Sequence, residues 1–230
     1  MLAGCSFTDN PDFPRLAFGE KVHDHDYAKI VSFGGAGNRY IAHSILENLT
    51  DDTSHVFVLW SGISRIDISI PVEMESHILG FDHRKVLGDA VWLMTGGYGG
   101  SWCMETSKIP KFLSLYLKNQ YLPHNWNYLA TQNLASVAGC LAILEQKNIN
   151  YTFGFIYDIF ADHSDQASLG GPVSKNNPMA KHIPWDKCIP SYPYDFCKKN
   201  NLLSNDDFHP SEEGYQAWID SVKQYLPKVG

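Results

Sequence analysis

The sequence predicts a single α/β domain spanning residues 1–230, in which helices cover both faces of a mostly parallel sheet. Apolar runs rich in β-branched and aromatic residues alternate along the chain with stretches of helical spacing. Polar or turn-forming residues flank the runs, which is typical of the buried strands of a parallel sheet. A length of 230 residues is usual for one α/β domain, so no second domain is expected.

Four segments have the composition of buried strands. The first is very short, because the polar residue Ser6 follows it almost at once. The other three are longer and are rich in Val, Ile, Phe and Tyr. The predicted strands are Met1–Gly4, Lys29–Phe33, His55–Trp60 and Tyr151–Phe160.

Three stretches carry apolar residues at helical spacing, namely Tyr40–Leu49, Trp126–Lys147 and Pro210–Leu226. The last of them has the clearest boundary signals. Pro210 stands in its first turn, and Glu212 and Glu213 lie where the helix dipole favours negative charge.

Two stretches rich in Gly, Pro and Asn interrupt this alternation of strands and helices. They are Gly96–Trp102 and Leu169–Pro193, and both are predicted to form long loops. In an open α/β sheet such loops often frame the ligand crevice, so we expect them near the functional site.

The composition excludes several classes of function. With 44% hydrophobic residues the chain can build a sizeable core. The net charge is −7 and no run of basic residues occurs, which argues against nucleic acid as a partner. No segment approaches the roughly 18 apolar residues of a membrane span, and no basic and apolar leader is evident. A cytoplasmic location is therefore expected, with the five widely spaced cysteines reduced.

Two short motifs near the ends of the chain supply the parts of an acyl-transfer site. Residues 4–8 read GCSFT and place Ser6 on a glycine-led turn, and residues 206–210 read DDFHP. A serine hydroxyl is a poor nucleophile unless a base accepts its proton, and that base needs a partner to orient it. His209 is the candidate base. Asp206, three residues earlier, can fold back onto its ring.

In this order and position, the two motifs resemble blocks I and V of the SGNH (GDSL-type) hydrolases. The resemblance implies a three-layer α/β/α sandwich with a mostly parallel, flavodoxin-like sheet. It also implies Ser6 as nucleophile, His209 as base and Asp206 as orienting acid, with no metal or organic cofactor. The GCSFT form of block I is similar to that of a divergent subfamily.

Residues 31–41 fit block II of the same family, in which a strand ends in a glycine turn and a helix follows. In the family this block supplies a backbone N–H to the oxyanion hole, beside the N–H of the nucleophile Ser6. Gly35 is the preferred donor because its spacing to Asn38 is usual in the family, and Gly37 is the alternative. Asn38 is a candidate for helix capping and for substrate binding.

Block III departs from the family pattern. Residues 56–65 read VFVLWSGISR where the family has Gly-x-Asn-Asp, so the asparagine that donates to the oxyanion in the family is missing. Ser64 is the predicted substitute, or Ser61 if the register of the segment is shifted. Arg65 adds a positive charge and is a candidate for substrate binding.

Other residues allow a chemical role but favour a structural one. Cys5 is expected to be buried beneath the nucleophile rather than to act as one. The cluster at residues 23–26 contains His-Asp-His-Asp but lacks an identifiable third ligand, so no metal site is predicted. Asp162 and His163 follow the fourth strand and are candidates for substrate contact.

These observations predict a serine esterase or deacylase that cleaves a small-molecule or glycan ester of a short acyl group. Hydrolysis is then expected to fall below about pH 6, where the imidazole base is already protonated. Two alternatives use the same fold. One is a catalytically weak SGNH-like module that binds a glycan or a protein, and the other is a sugar O-acyltransferase.

Overall fold

The computed structural model describes residues 1–9, 12–18, 29–73, 84–94, 126–163, 172–204 and 209–227. The described residues form β-strands and α-helices that are numbered here in chain order. The strands are β1 Leu2–Gly4, β2 His55–Trp60, β3 Asp67–Pro71, β4 Arg84–Leu87, β5 Ala90–Met94 and β6 Asn150–Phe155. The helices are α1 Ser6–Asp9, α2 Asp12–Phe18, α3 Asn38–Asn48, α4 Trp126–Gln146, α5 Pro193–Lys199 and α6 Glu212–Val222.

A parallel sheet lies at the centre of the molecule, with the strand order β1-β2-β6. Isolated parallel bridges continue the pairing on both edges, from Leu2 to Ile30 and from Phe153 to Cys188. Strand β2 is buried from Val56 to Trp60, which explains its unbroken apolar composition. The mixture of helices and a parallel sheet confirms the predicted α/β class.

The sequence did not predict the second sheet. Strands β3, β5 and β4 form an antiparallel sheet in that order, and β4 and β5 are the arms of a hairpin. Strands β3 and β4 are partly exposed, so their apolar runs are short and interrupted, and only β5 has a run of buried residues. Half-exposed strands of this length lack the long apolar run by which the parallel strands were recognised.

Aromatic side chains hold the short helix α2, also missed from the sequence, between the sheet and the last helix. The ring of Phe13 lies 6.0 Å from that of Phe57 on β2. On its other side it lies 5.8 Å from Tyr215 and 6.1 Å from Trp218, both on α6. All four rings are almost fully buried, so α2 anchors the C-terminal helix to the centre of the molecule.

The predicted strands are matched to different extents. Strand β2 has the predicted bounds. The segment at 29–33 runs beside β1, where the Val31 N–H donates to the Leu2 carbonyl at 2.9 Å and the Phe33 N–H donates to the Gly4 carbonyl at 3.2 Å. The fourth predicted strand is β6, which ends at Phe155 instead of Phe160.

The predicted helices also differ mainly at their ends. Helix α6 begins at Glu212 rather than Pro210, because the Ser211 hydroxyl accepts a hydrogen bond from the Gly214 N–H and caps the helix. Of the two predicted loops, Gly96–Trp102 lies outside the described residues, whereas residues 172–192 form irregular backbone with two short 3₁₀ turns. Among the described helices, none combines the length and the apolar character needed to cross a membrane.

Candidate active site

The first helix and the start of the last helix meet at one point of the molecule. The Nε2 atom of His209 lies 2.6 Å from the Oγ atom of Ser6, although 203 residues separate them in the chain. The ring of Phe7 packs 4.7 Å from the imidazole, centroid to centroid, and supports it from the side. A serine hydroxyl in contact with an imidazole is the nucleophile and base arrangement of acyl-transfer enzymes.

The turn between β1 and α1 holds Ser6 at the carboxyl end of the parallel sheet. Gly4 ends the strand at φ 156°, and a Cβ atom there would clash with Thr8 Oγ1 and lie 2.8 Å from the Leu59 carbonyl oxygen. Only glycine therefore fits this position. Cys5 is fully buried, which confirms the predicted burial of this thiol, whereas Ser6 is partly exposed.

Backbone pairing just before the last helix positions His209. The Ser204 N–H donates to the His209 carbonyl at 2.8 Å, and the Ser211 N–H donates to the Leu202 carbonyl at the same distance. The Ser211 hydroxyl also donates to the Leu202 carbonyl at 2.9 Å while it caps α6. The imidazole is thus fixed by a short antiparallel pairing and by a capped helix. The predicted acid, Asp206, lies outside the described residues, as does the cluster at 23–26.

The glycine-rich segment that follows the segment at 29–33 folds into a tight turn at residues 33–37, called the glycine turn below. The Ala36 N–H donates to the Phe33 carbonyl at 3.1 Å, and Gly35 has φ 80° at the third position of this turn. A positive φ at that position is the mark of a type II turn, which requires glycine. The Gly34 N–H donates to the Asp9 carboxylate at 3.0 Å, so helix α1 and the turn are tied together.

The hydrogen bonds of this turn distinguish between the two glycines proposed as oxyanion donors. The Gly37 N–H donates to Asp67 Oδ1 at 2.8 Å and is therefore occupied. The Gly35 N–H, although its residue is buried, forms no hydrogen bond with any of the described residues. Of the two glycines, Gly35 is therefore the one whose N–H no described residue accepts, and its role as an oxyanion donor stays a prediction.

A buried amide connects the glycine turn with the loop after β2. The Ser61 N–H donates to Asn38 Oδ1 at 2.8 Å, and Asn38 Nδ2 donates to the Ser61 carbonyl at 3.2 Å. Asn38 is fully buried and makes no capping bond to α3, so its side chain supports the two loops instead of capping the helix. The carboxylate that accepts from the first turn of α3 comes from Asp67.

The loop after β2, residues 61–66, is also held by two side chains that the sequence reasoning missed. The Ile63 N–H donates to the Tyr157 hydroxyl at 3.2 Å. Asn133 Nδ2 lies within hydrogen-bonding distance of the carbonyls of Ile63 and Arg65, at 3.1 and 3.3 Å. An asparagine on the apolar face of a long helix was the one signal that could have revealed this contact.

The predicted block III residues lie in this braced loop. Ser64 and Ser61 are fully buried, and the Ser61 hydroxyl makes no hydrogen bond with another described residue. Arg65 Nη1 donates to the Ala36 carbonyl at 3.1 Å, which brings the guanidinium against the glycine turn. The donation of a hydrogen bond from Ser64 to an oxyanion stays a prediction.

Asp162 and His163, the two candidates for substrate contact after β6, have different environments. His163 is 5% exposed, and its ring packs 4.8 Å from that of Tyr157. Its Nε2 lies 3.0 Å from the Asp158 carbonyl and 3.7 Å from the Asp195 carboxylate, whose pKa burial raises. His163 is therefore enclosed by protein groups, whereas its neighbour Asp162 is exposed at the surface.

Among the residues that the structure describes, no three His, Cys, Asp or Glu side chains are close enough to hold a metal ion.

Comparison with other proteins adds no assignment. No protein-family model, curated protein or solved structure matches the chain.

Proposed function

We propose that this protein is a serine esterase or deacylase of the SGNH type that cleaves an ester of a short acyl group. The observation that carries the proposal is the 2.6 Å contact between Ser6 Oγ and His209 Nε2. Cys5, beside the nucleophile, is buried, which favours the serine over the thiol. The short acyl group is proposed because the sequence contains no long apolar segment suited to line a channel.

The strand arrangement supports the finer fold proposal. The segment around Ile30, then β1, β2, β6 and the segment around Cys188 follow one another across the parallel pairing. Numbered along the chain this is the order 2-1-3-4-5, which flavodoxin-like sheets have. Ligands of such sheets bind outside the carboxyl ends of the strands, where Ser6 follows β1. We therefore propose a three-layer SGNH-type sandwich.

In the proposed mechanism, Ser6 Oγ attacks the ester carbonyl while His209 Nε2 takes the hydroxyl proton. The backbone N–H groups of Ser6 and Gly35 bind the negative charge that develops on the carbonyl oxygen, with Ser64 as a third proposed donor. His209 then returns the proton to the leaving alcohol, and an acyl-enzyme remains. A water molecule, deprotonated by the same imidazole, releases the acid and restores Ser6.

Two charged side chains complete the proposal. Asp206 is the proposed partner of the imidazole, which it would orient and stabilise in the protonated state. Arg65 holds a positive charge against the glycine turn through its bond to the Ala36 carbonyl at 3.1 Å. That charge is expected to favour the oxyanion. No step of this mechanism requires a metal or an organic cofactor.

The test is turnover of p-nitrophenyl acetate and butyrate by the wild type, Ser6→Ala and Cys5→Ala proteins. We expect Ser6→Ala to lose at least about 10³-fold in kcat/KM, because the nucleophile is removed while the fold is kept. Cys5→Ala is expected to keep most of its activity. Labelling by a fluorophosphonate, followed by peptide mass spectrometry, should modify Ser6.

Equal and near-background rates in all three proteins, together with no labelling of Ser6, would contradict the esterase proposal. Such a result would instead favour a module that binds a glycan or a protein. The replacement of the block III asparagine is the feature that makes this second function worth testing.

A further inference from the structure

A buried carboxylate lies directly behind the glycine turn. Asp67, the first residue of β3, is 1% exposed and follows the loop after β2. Its Oδ1 atom accepts a hydrogen bond from the Gly37 N–H at 2.8 Å, and its Oδ2 atom accepts one from the Tyr40 N–H at 2.9 Å. Both oxygens are therefore engaged by the backbone that follows Gly35. Both bonds run to N–H groups at the start of α3, where backbone donors lack partners within the helix.

The glycine turn is also held by two other side chains. Asp9 accepts a hydrogen bond from the Gly34 N–H, and Arg65 donates one to the Ala36 carbonyl. With the bond from Gly37 to Asp67, every residue of the turn except Gly35 has a fixed backbone group. The turn is thus constrained on both sides of Gly35, whose N–H makes no hydrogen bond with any of the described residues.

We propose that Asp67 is a positioning residue for this site, which fixes the direction of the Gly35 N–H by holding the two N–H groups that follow it. The inference rests on the proposed esterase function, because it assigns Gly35 to oxyanion binding. An oxyanion donor contributes only when it is already oriented toward the charge that develops in the transition state. Asp67 would therefore act on kcat rather than on substrate affinity, without touching the substrate.

The carboxylate must be ionised to accept both hydrogen bonds well. Burial raises the pKa of Asp67 to about 6, and the bonds from Tyr40 and Gly37 and the charges of Arg65 and Arg39 oppose that rise. On the side of the second sheet, Asp67 pairs with Met94, which has no charge. Below about pH 6 the protonated acid has an O–H in place of one acceptor, so the hold on the turn weakens.

The experiment compares Asp67→Asn with Ser44→Ala. The amide introduced by Asp67→Asn has the shape of the carboxylate but directs an NH₂ group at one of the two backbone donors, so one hydrogen bond is lost. Ser44 lies on the same helix α3, where its hydroxyl donates to the Val31 carbonyl at 3.2 Å, away from the turn. Its variant therefore controls for general weakening of α3.

We expect kcat of Asp67→Asn to fall by about 10- to 100-fold with KM little changed, because a small misplacement of an oxyanion donor has effects of this size. Labelling of Ser6 by the fluorophosphonate should slow by a similar factor. Hydrogen exchange of the peptide covering residues 33–41 should accelerate. Ser44→Ala is expected to match the wild type in kcat and in labelling.

The pH profile of the wild type supplies a readout that needs no variant. Loss of a single required ionisation gives log kcat/KM a slope of one on the acid side, whereas the additional protonation of Asp67 makes the slope steeper below about pH 6, the value to which burial raises its pKa. In Asp67→Asn the slope should return to one. A slope of one in both proteins, with unchanged labelling and hydrogen exchange, would overturn the inference.

Failure of the proposed function would look different. A wild-type protein that hydrolyses no ester and takes no label on Ser6 would remove the catalytic part of the inference together with the esterase proposal. Hydrogen exchange in Asp67→Asn would then still decide whether this carboxylate holds the turn.

Discussion

The two halves of the candidate site are built in different ways. The catalytic half is one direct contact between side chains, Ser6 and His209, which are partly exposed. The supporting half consists of the glycine turn and the loop after β2, where buried side chains hold backbone groups in place. Asn38, Asp67 and Asn133 are each at most 2% exposed, and each binds backbone atoms of these loops.

This difference predicts two kinds of mutational effect. In the proposed mechanism, groups of the catalytic half change their bonding during the reaction, so replacing them should remove activity with little effect on stability. Groups of the supporting half make the same bonds throughout, and their loss leaves buried donors or acceptors unpaired. Replacing them should therefore lower the free energy of unfolding and, through the backbone, the activity.

The largest effect is expected for His209→Gln in the catalytic half. Removal of the base should lower kcat/KM by about 10³- to 10⁴-fold, because Ser6 then lacks a proton acceptor. The free energy of unfolding is expected to change by less than about 1 kcal/mol, since the residue is partly exposed. Ester hydrolysis and urea unfolding measure the two effects. A variant that loses several kcal/mol of stability would contradict the proposed division.

An intermediate effect is expected for Gly35→Ala, which tests the turn where the two halves meet. The φ of 80° would cost an L-residue about 1–2 kcal/mol, and relief of that strain should rotate the N–H group. We expect kcat to fall by about 10- to 100-fold.

Gly88→Ala is the matched control for this change. Gly88 has φ 60° in the hairpin between β4 and β5, and among the described residues the atom nearest to a Cβ there would be Glu47 Oε2, at 3.8 Å. It should show a similar loss of stability with unchanged kcat. Equal kcat values in the two alanine variants would argue against Gly35 as an oxyanion donor.

The smallest effect on activity is expected for Asn133→Ala in the supporting half. Its amide nitrogen contacts the carbonyls of Leu129, Ile63 and Arg65, and the last two belong to the loop after β2. Leaving these acceptors unpaired should cost about 2–3 kcal/mol, with less than a tenfold fall in kcat. Chemical denaturation measures the cost, and Ser136→Ala on the same helix is the control. The same stability in both variants would contradict a bracing role.

Part of the fold was predictable because its signals are local. Strand β2 matches its predicted bounds, since all of Val56–Trp60 is buried and the apolar run is continuous. Strands β3 and β4 escaped notice because they are half exposed, and Asp67 begins one of them with a charged residue. A buried carboxylate contradicts the hydrophobic pattern by which strands are recognised.

The same division holds for the candidate site. The GCSFT and DDFHP motifs predicted Ser6 as nucleophile and His209 as base, and the structure places these two side chains in contact. Asn38 was expected to cap a helix or to bind substrate, but its side chain binds the backbone of Ser61. The residue type alone does not indicate which of these partners a buried asparagine has. Its partner at Ser61 is 23 residues away, and no local pattern specifies such a pairing.

By itself the sequence determined where the strands of the parallel sheet and the longer helices lie. It also showed which side chains have the chemistry that acyl transfer needs. Hydrophobic periodicity and turn-forming residues act over a few positions, so they can be read without the fold. Only the tertiary structure decided which N–H groups of the glycine turn are bonded to other described residues. The acceptors of Gly34 and Gly37 are Asp9 and Asp67, which are 25 and 30 residues away along the chain, and only folding brings them to the turn.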